Sequence, residues 1–301
     1  MNPFNRRAFT HAFSLLHVDH VRLDKKWNYS HVISPYFRIY YIDEGDGQII
    51  GAREKIVLEP GFLYMVPSFT LCHLKCPDYL SQYFLHLFEY SAEGISLFEY
   101  RREVMKVRAD QRDIAAFKRL LEINPGRGIN RSDNPKVYEK NVYYEHYQEL
   151  NNLVSDAVYY ETQGIIFQLI SRFLESVRSA AGRSAHVPPK ILDSMNYVQL
   201  HLSEELTVRS LAKRVNLNED HFSRLFFKST GKRPASYICS KRIELAQYLT
   251  ATTNYSFAEI AERAGFENVP YFFKMFKKVT TLTPGEYRKR HELFSYAGDK
   301  I

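Results

Sequence analysis

Two stretches of this chain match each other. One runs Thr207-Val-Arg-Ser-Leu211-Ala212-Lys-Arg-Val215-Asn216-Leu217 and continues with His221-Phe222-Ser223-Arg224-Leu225-Phe226-Phe227-Lys228. The other runs Ser256-Phe-Ala-Glu-Ile260-Ala261-Glu-Arg-Ala264-Gly265-Phe266 and continues with Tyr271-Phe272-Phe273-Lys274-Met275-Phe276-Lys277-Lys278. Both then close alike, with Pro234-Ala-Ser-Tyr237 and Pro284-Gly-Glu-Tyr287. A repeat of about 50 residues built from helical spacing marks a duplicated supersecondary unit. Each copy predicts two short helices around a tight turn. Ser256 and Glu259 have capping-box spacing. Gly265 suits a left-handed turn residue, and Asn216 in the equivalent place is the next best choice. Asn218 and Asn268 are expected to cap the second helices, with Pro270 in a first turn, where its missing N–H is tolerated. Ala212 and Ala261 are small where helices must cross, and Phe222, Phe226, Phe272 and Phe276 recur at i, i+4 and are expected in the core.

Between the copies, Ala235 to Ala251 predicts one continuous helix. At 1.5 Å per residue it spans roughly 25 Å. Such a strut suits two helices held about one duplex turn, ~34 Å, apart. The charge agrees. From Lys190 onward there are 18 Lys+Arg against 12 Asp+Glu, leaving 23 against 22 in the residues before it. The basic surplus lies in the last third, which points that third toward a polyanion.

The front of the chain has a different texture. Tyr36 to Ile42 is aromatic and β-branched and ends at Glu44-Gly45-Asp46-Gly47; Lys55 to Leu58 stops at Pro60-Gly61; Phe62 to Val66 stops at Pro67; Gln82 to Glu89 follows. Short strands between Gly/Pro turns predict an antiparallel sandwich or small barrel at about 20–100. Helical spacing takes over at about 110–178, most clearly in Ile165, Ile166, Leu169, Ile170, Phe173, Leu174 and Val177. That stripe is expected to pack on the sheet, with a share in a dimer interface as an alternative. Residues 179–189 are small and polar and end in Pro188-Pro189, which predicts a linker between a domain of 1–178 and one of 190–292.

Composition excludes some classes. Hydrophobic residues make up 45% and charged residues 25% of the 301, as in soluble globular chains, and no apolar run approaches the ~20 residues of a membrane span. No signal-peptide pattern is found at the N-terminus, so the expected location is cytoplasmic. Cys72, Cys76 and Cys239 are too few for a disulfide framework. Cys72, His73 and Cys76 lack the second ligand pair a closed zinc site needs. No clustered His-x-His with a nearby Glu, no Ser/His/Asp pattern and no phosphate-binding Gly loop is present, so neither catalysis nor a metal or other cofactor is expected.

The stretch from about Leu192 to Arg290 resembles the DNA-binding domain of the AraC/XylS family. The elements that carry the likeness include Leu211-Ala212, Phe222 to Phe226, Gly231, Pro234, Tyr237, Arg242, Ala246, Leu249, Ile260-Ala261, Gly265-Phe266, Tyr271-Phe272, Phe276-Lys277-Lys278, Pro284, Tyr287 and Arg288. The front, with Pro60-Gly61, Pro67 and His73, looks more loosely like the cupin-like effector domain common in that family. The fold class implied is α+β multidomain: a cupin-like β-barrel followed by helices, then an all-α domain with two helix-turn-helix units.

The resemblance also implies roles. The second helix of each unit would enter the major groove, which gives Asp220, His221, Ser223 and Arg224 as base-reading positions in the first unit and Val269, Pro270, Phe273 and Lys274 in the second. Arg224 suits bidentate bonding to guanine, although a phosphate contact is its alternative. The second set is largely apolar, so weaker specificity is expected there. Thr281 stands where the first copy has Gly231, which leaves the end of that helix open. Arg209, Lys228, Lys241, Arg242, Lys277, Lys278 and Arg288 are phosphate-contact candidates. In the front domain Arg38 and Tyr40 share a strand face by alternation. With Trp27 and His86 they are the candidates for binding a sugar-like effector in the barrel mouth; an arginine on the outer face and aromatics in the core is the alternative. The function implied is a ligand-responsive activator, a homodimer that engages double-stranded operator DNA and RNA polymerase. A cupin-type enzyme with a DNA-binding tail, or a constitutive DNA-binding protein, would share much of this sequence.

Overall fold

A computed structural model describes residues 11–51, 54–91, 96–99, 102–128, 147, 149–180 and 188–292. The front domain is built from two antiparallel sheets. The larger has the order β1 (His11–Asp24), β8 (Tyr79–Ser91), β3 (Phe37–Gly45), β6 (Phe62–Val66), β9 (Met105–Arg108). The smaller has the order β2 (Asn28–Val32), β7 (Cys72–Lys75), β4 (Gly47–Ile50), β5 (Lys55–Leu58). Among the described residues no ladder joins one sheet to the other, so the expected barrel is an open double sheet.

Strand β3 lies at the centre of the larger sheet and is buried on both faces. Phe37, Ile39 and Tyr41 face helices α1 (Gln111–Ile123) and α2 (Asp156–Ala180), where Phe117, Leu120, Ile166, Leu169, Ile170 and Phe173 complete one core. The alternate residues Tyr40 and Ile42 face the smaller sheet and pack with Trp27, Ile49, Leu58, Leu74 and Phe84. Burial on both sides explains why this strand is an almost continuous apolar run. The apolar stripe of α2 packs on the sheet, with Ile166, Leu169 and Phe173 fully buried. Asp110 and Asp113 form a capping box at the start of α1, and Asp113 also accepts from Arg172 Nε at 3.2 Å, which ties α1 to α2.

Strand β1 was not anticipated. Its ladder with β8 shifts register between Leu15 and His17, so Leu15, Leu16 and His17 are all buried and the period of two is broken.

The helical domain follows. Most of the expected linker, 181–187, lies outside the described residues, as do residues 1–10 at the N-terminus. Helix α3 (Pro189–Leu200) leads into α4 (Val208–Arg214) and α5 (Glu219–Thr230); α6 (Pro234–Thr252) is the strut; α7 (Phe257–Arg263), α8 (Val269–Thr280) and α9 (Pro284–Glu292) complete the second unit. No helix among the described residues is long and apolar enough to cross a membrane.

Front and helical domains share a seam. Phe88 of β8 meets Tyr248 of α6 edge to face, with ring centroids 5.5 Å apart, and Leu16, Ile33 and Tyr36 join the cluster that forms the core of the second unit. Beside it, Glu99 and Arg102 of the front domain meet Lys241 and Glu244 of α6 in one buried group of four charges.

Candidate nucleic-acid interface

Local chemistry sets both units in the same way. Thr207 and Ser210 cap α4 reciprocally, and Ser256 and Glu259 do the same for α7. The turns that follow hold Asn216 at φ 52° and Gly265 at φ 80°. Asn218 then accepts from the His221 amide and Asn268 from the Tyr271 amide, so α5 and α8 begin at matched places. Underneath, Phe222, Phe226, Phe272 and Phe276 are fully buried, as are Ala212 and Ala261 at the helix crossings. The Gly231–Thr281 mismatch has no effect on helix length: Thr281 takes φ 67° and donates its N–H to Lys277 O at 2.8 Å.

What remains outside is the candidate interface. On α5, Asp220, His221 and Arg224 are exposed and Ser223 is half-buried. Asp220, Ser223 and Arg224, together with Val208, Phe227 and Arg233, line a groove of about 570 Å³. Phe227 was not anticipated. It is 53% exposed, and it stands where the second copy has Lys277, a difference visible in the aligned repeat. On α8, Val269, Pro270 and Lys274 are exposed, followed by Lys277 and Lys278. Tyr271, also unanticipated, is 52% exposed on the same helix. Phe273 differs from its neighbours: it is half-buried against Phe257, at 5.6 Å between ring centroids, which makes it part of the scaffold more than a reader of bases.

Three of the phosphate candidates are corrected. Lys241 is buried, bonded to Glu99 and to Glu244 at 3.0 Å, and points into the seam. Arg242 donates to the carbonyls of Leu202 and Glu204, at 3.0 and 2.7 Å. Arg288 donates to the Tyr255 carbonyl and lies over the Phe257 ring. Each is a structural cation: carboxylates pair with Lys241, and backbone carbonyls accept from Arg242 and Arg288. Arg209, Lys228, Lys277 and Lys278 remain on the surface, Arg209 within 3.8 Å of Glu219.

The front-domain candidates come together, but inside the fold. Trp27, Arg38, Tyr40 and His86 are each 3% exposed or less. Arg38 and His86 are cross-strand partners, Arg38 Nη2 lies 3.3 Å from Cys72 Sγ of the other sheet, and Tyr40 stands edge to face with His86. His86 Nδ1 also meets His17 Nδ1 at 3.3 Å. Burial, reinforced by Arg127, lowers the His17 pKa to about 3; burial, His17 and Arg38 likewise push His86 well below 6.5. The side chains expected at a barrel mouth therefore form a neutral-histidine core between the sheets. A cavity opens elsewhere. About 520 Å³ in volume, it lies at the seam, between Phe69, Phe88 and Arg102 of the front domain and Lys241, Leu245 and Tyr248 of α6. Among the described residues, no group of three or more His, Cys, Asp or Glu is placed to hold a metal.

Known proteins share this arrangement. A family described as a helix-turn-helix domain matches residues 211–290. The uncharacterized HTH-type transcriptional regulator YisR of Bacillus subtilis is 34% identical over 97 residues, 32% of this chain and 34% of that protein. The regulatory protein PocR of Salmonella typhimurium is 30% identical over 116 residues, 38% of each. The chain thus spans between a third and two fifths of the length of curated relatives such as these. In fold, the likeness extends to nearly the whole chain. Crystalline ToxT of Vibrio cholerae superposes with a TM-score of 0.51 at 16% identity, covering 93% of this chain and 99% of that one. ToxT with an unsaturated fatty acid bound gives a TM-score of 0.50 at 17% identity, covering 93% and 96%. Two matched capped units, one strut and the family model lead to one assignment: residues 211–290 form a helix-turn-helix domain of AraC type.

Proposed function

We propose that this protein is a sequence-specific DNA-binding transcription regulator that responds to a small molecule. The observation that carries the first half is the pair α5 and α8. Both are N-capped by asparagine, both are anchored by buried phenylalanines, and both present an outward face with cations. Helices so held can enter successive major grooves. Arg224 is the main base reader and Lys274 faces the bases in the second unit, while Lys277, Lys278, Lys228 and Arg209 engage phosphates. Footprinting of the full chain across its source genome tests this reading. Protected sites of two boxes upstream of genes are expected, whereas protection independent of sequence would overturn it.

Responsiveness rests on the seam cavity. Both domains wall it, so an occupant changes the energy of their contact, as any effector must. The lining favours a ligand with an apolar body over the sugar-like ligand that the resemblance implies: Phe69, Phe88 and Tyr248 offer apolar surface, while Arg102 and Lys241 are already paired with Glu99 and Glu244. That ToxT binds an unsaturated fatty acid supports this choice. Thermal unfolding of the full chain with long-chain fatty acids and with monosaccharides decides it. A rise with fatty acids alone is expected; a rise with sugars alone would restore the sugar. We further propose a non-catalytic activator that works as a homodimer and contacts RNA polymerase. Stoichiometric metal in the purified protein would favour a cupin-type enzyme instead.

A further inference from the structure

The strut helix is not the only link between the two units. Arg242, midway along α6, reaches back to the first unit, where Nε donates to Leu202 O at 3.0 Å and Nη2 donates to Glu204 O at 2.7 Å. Both carbonyls belong to the connection between α3 and α4. The same guanidinium lies against the second unit. A Cβ at Gly265, the turn residue of that unit, would sit 2.8 Å from Arg242 Nε and 2.0 Å from the Leu202 carbonyl oxygen. The Phe266 ring covers the guanidinium from 6.0 Å. The approach loop of one unit and the turn of the other therefore touch directly, around a single side chain.

Helix α6 packs into both cores, through Tyr237 and Ile238 into the first and through Ile243 and Ala246 into the second, and a helix of this length seated at both ends can still bend about its middle. The contact at Arg242 removes that freedom. We propose that Arg242, seated against Gly265, is a positioning residue for DNA recognition: it fixes the angle and separation of α5 and α8, so that the protein accepts two boxes at one spacing only. The idea rests on the DNA-binding function proposed above. Chemistry explains the choice of residue. A guanidinium satisfies two carbonyls at once in a fixed fork, which neither lysine nor glutamine can do. Only glycine allows the Leu202 carbonyl to come so close while φ is positive.

The test uses the full chain and a duplex that it selects from a random-sequence library. One or two base pairs are then inserted between the boxes, or removed. Each base pair turns the second box by about 34° and moves it by about 3.4 Å, so the wild type should lose at least about tenfold in affinity per step. Arg242→Gln should flatten this dependence to within about threefold, with binding to a duplex carrying only the first box unchanged. Gly265→Ala forces the two loops apart, and should weaken binding at the original spacing more than at an altered one. If Arg242→Gln does not fold, Arg242→Lys, which keeps the charge and one hydrogen bond, takes its place in the series. A variant that folds and keeps the full tenfold penalty overturns the proposal, and so does a wild type that selects a single box. A wild type that selects no sequence at all removes the DNA-binding reading instead, which keeps the two failures distinct.

Discussion

Thr281 ends α8 at φ 67°, only a few degrees from the φ 72° with which Gly231 ends α5. The repeat requires a left-handed residue at both places, and the second copy meets the requirement with a β-branched side chain. For such a residue the left-handed region costs on the order of 1–2 kcal/mol. Thr281 is exposed and carries no base-reading role. Thr281→Gly should therefore raise the unfolding free energy of the full chain by about 1 kcal/mol, less the added freedom of the unfolded glycine. Chemical denaturation checks it, and a loss of stability would mean that the threonine side chain holds something its backbone angle does not reveal.

The histidine pair predicts an acid limit. His17 and His86 are buried and neutral, and burial lowers both pKa values below 6.5, His17 to about 3. The unfolded chain takes up these protons near 6.5 while the folded chain refuses them. Stability from this source is thus complete above pH ~6.5 and declines as pH falls towards 3, with a slope of up to about 1.4 kcal/mol per pH unit for each histidine. Denaturation midpoints at pH 7.5, 6 and 5 should fall in that order. His17→Phe should flatten the decline, and an unchanged slope would remove His17 from the account.

Lys241 offers a prediction of opposite kind for two assays. Removing one member of a buried charge group leaves the others uncompensated, at a cost of about 3 kcal/mol. Lys241→Met should cost about that much in stability, even though Arg102 still faces Glu99 and Glu244. Burial disfavours the Glu244 carboxylate, yet Lys241 and Arg102 outweigh it and hold its pKa below the ordinary value. The salt dependence of DNA binding should not change in this variant. Lys278→Ala, at an exposed phosphate candidate, should do the reverse, reducing the salt slope by about one and leaving stability alone.

Arg224 is tested against its own alternative. Arg224→Ala should cost about 1–3 kcal/mol at one base pair of the selected site and relax the preference there. Equal weakening on every duplex would instead make Arg224 a phosphate contact. Phe227→Ala, next to it in the groove, should affect positions rich in thymine methyls most.

How much of this was legible depended on range in sequence. Asn218, Asn268, Ser256, Glu259, Gly265 and the strut from Ala235 to Ala251 act on neighbours within a few residues, and their types and spacing state those roles. The first-unit pair Thr207 and Ser210 was within the same reach but lacks the acidic partner of the usual box. Strand β1 was hidden because the bulge at Leu16 breaks the alternation that marks a strand. Lys241 was illegible for another reason. Beside Arg242 on a helix it has the pattern of a phosphate contact, and its partner Glu99 lies 142 residues away. Arg38, Tyr40 and His86 do share facing positions, yet alternation reports only which face a side chain is on and not how deeply that face is buried.

Helix α6 touches three bodies: the first unit through Tyr237 and Ile238, the second through Ile243 and Ala246, and the front domain through Lys241, Glu244 and Tyr248. A displacement of α6 at the seam is therefore felt in both units. Whatever shifts the strut shifts both heads in concert, so an effector would act as a volume control on one fixed message, without changing which message is read.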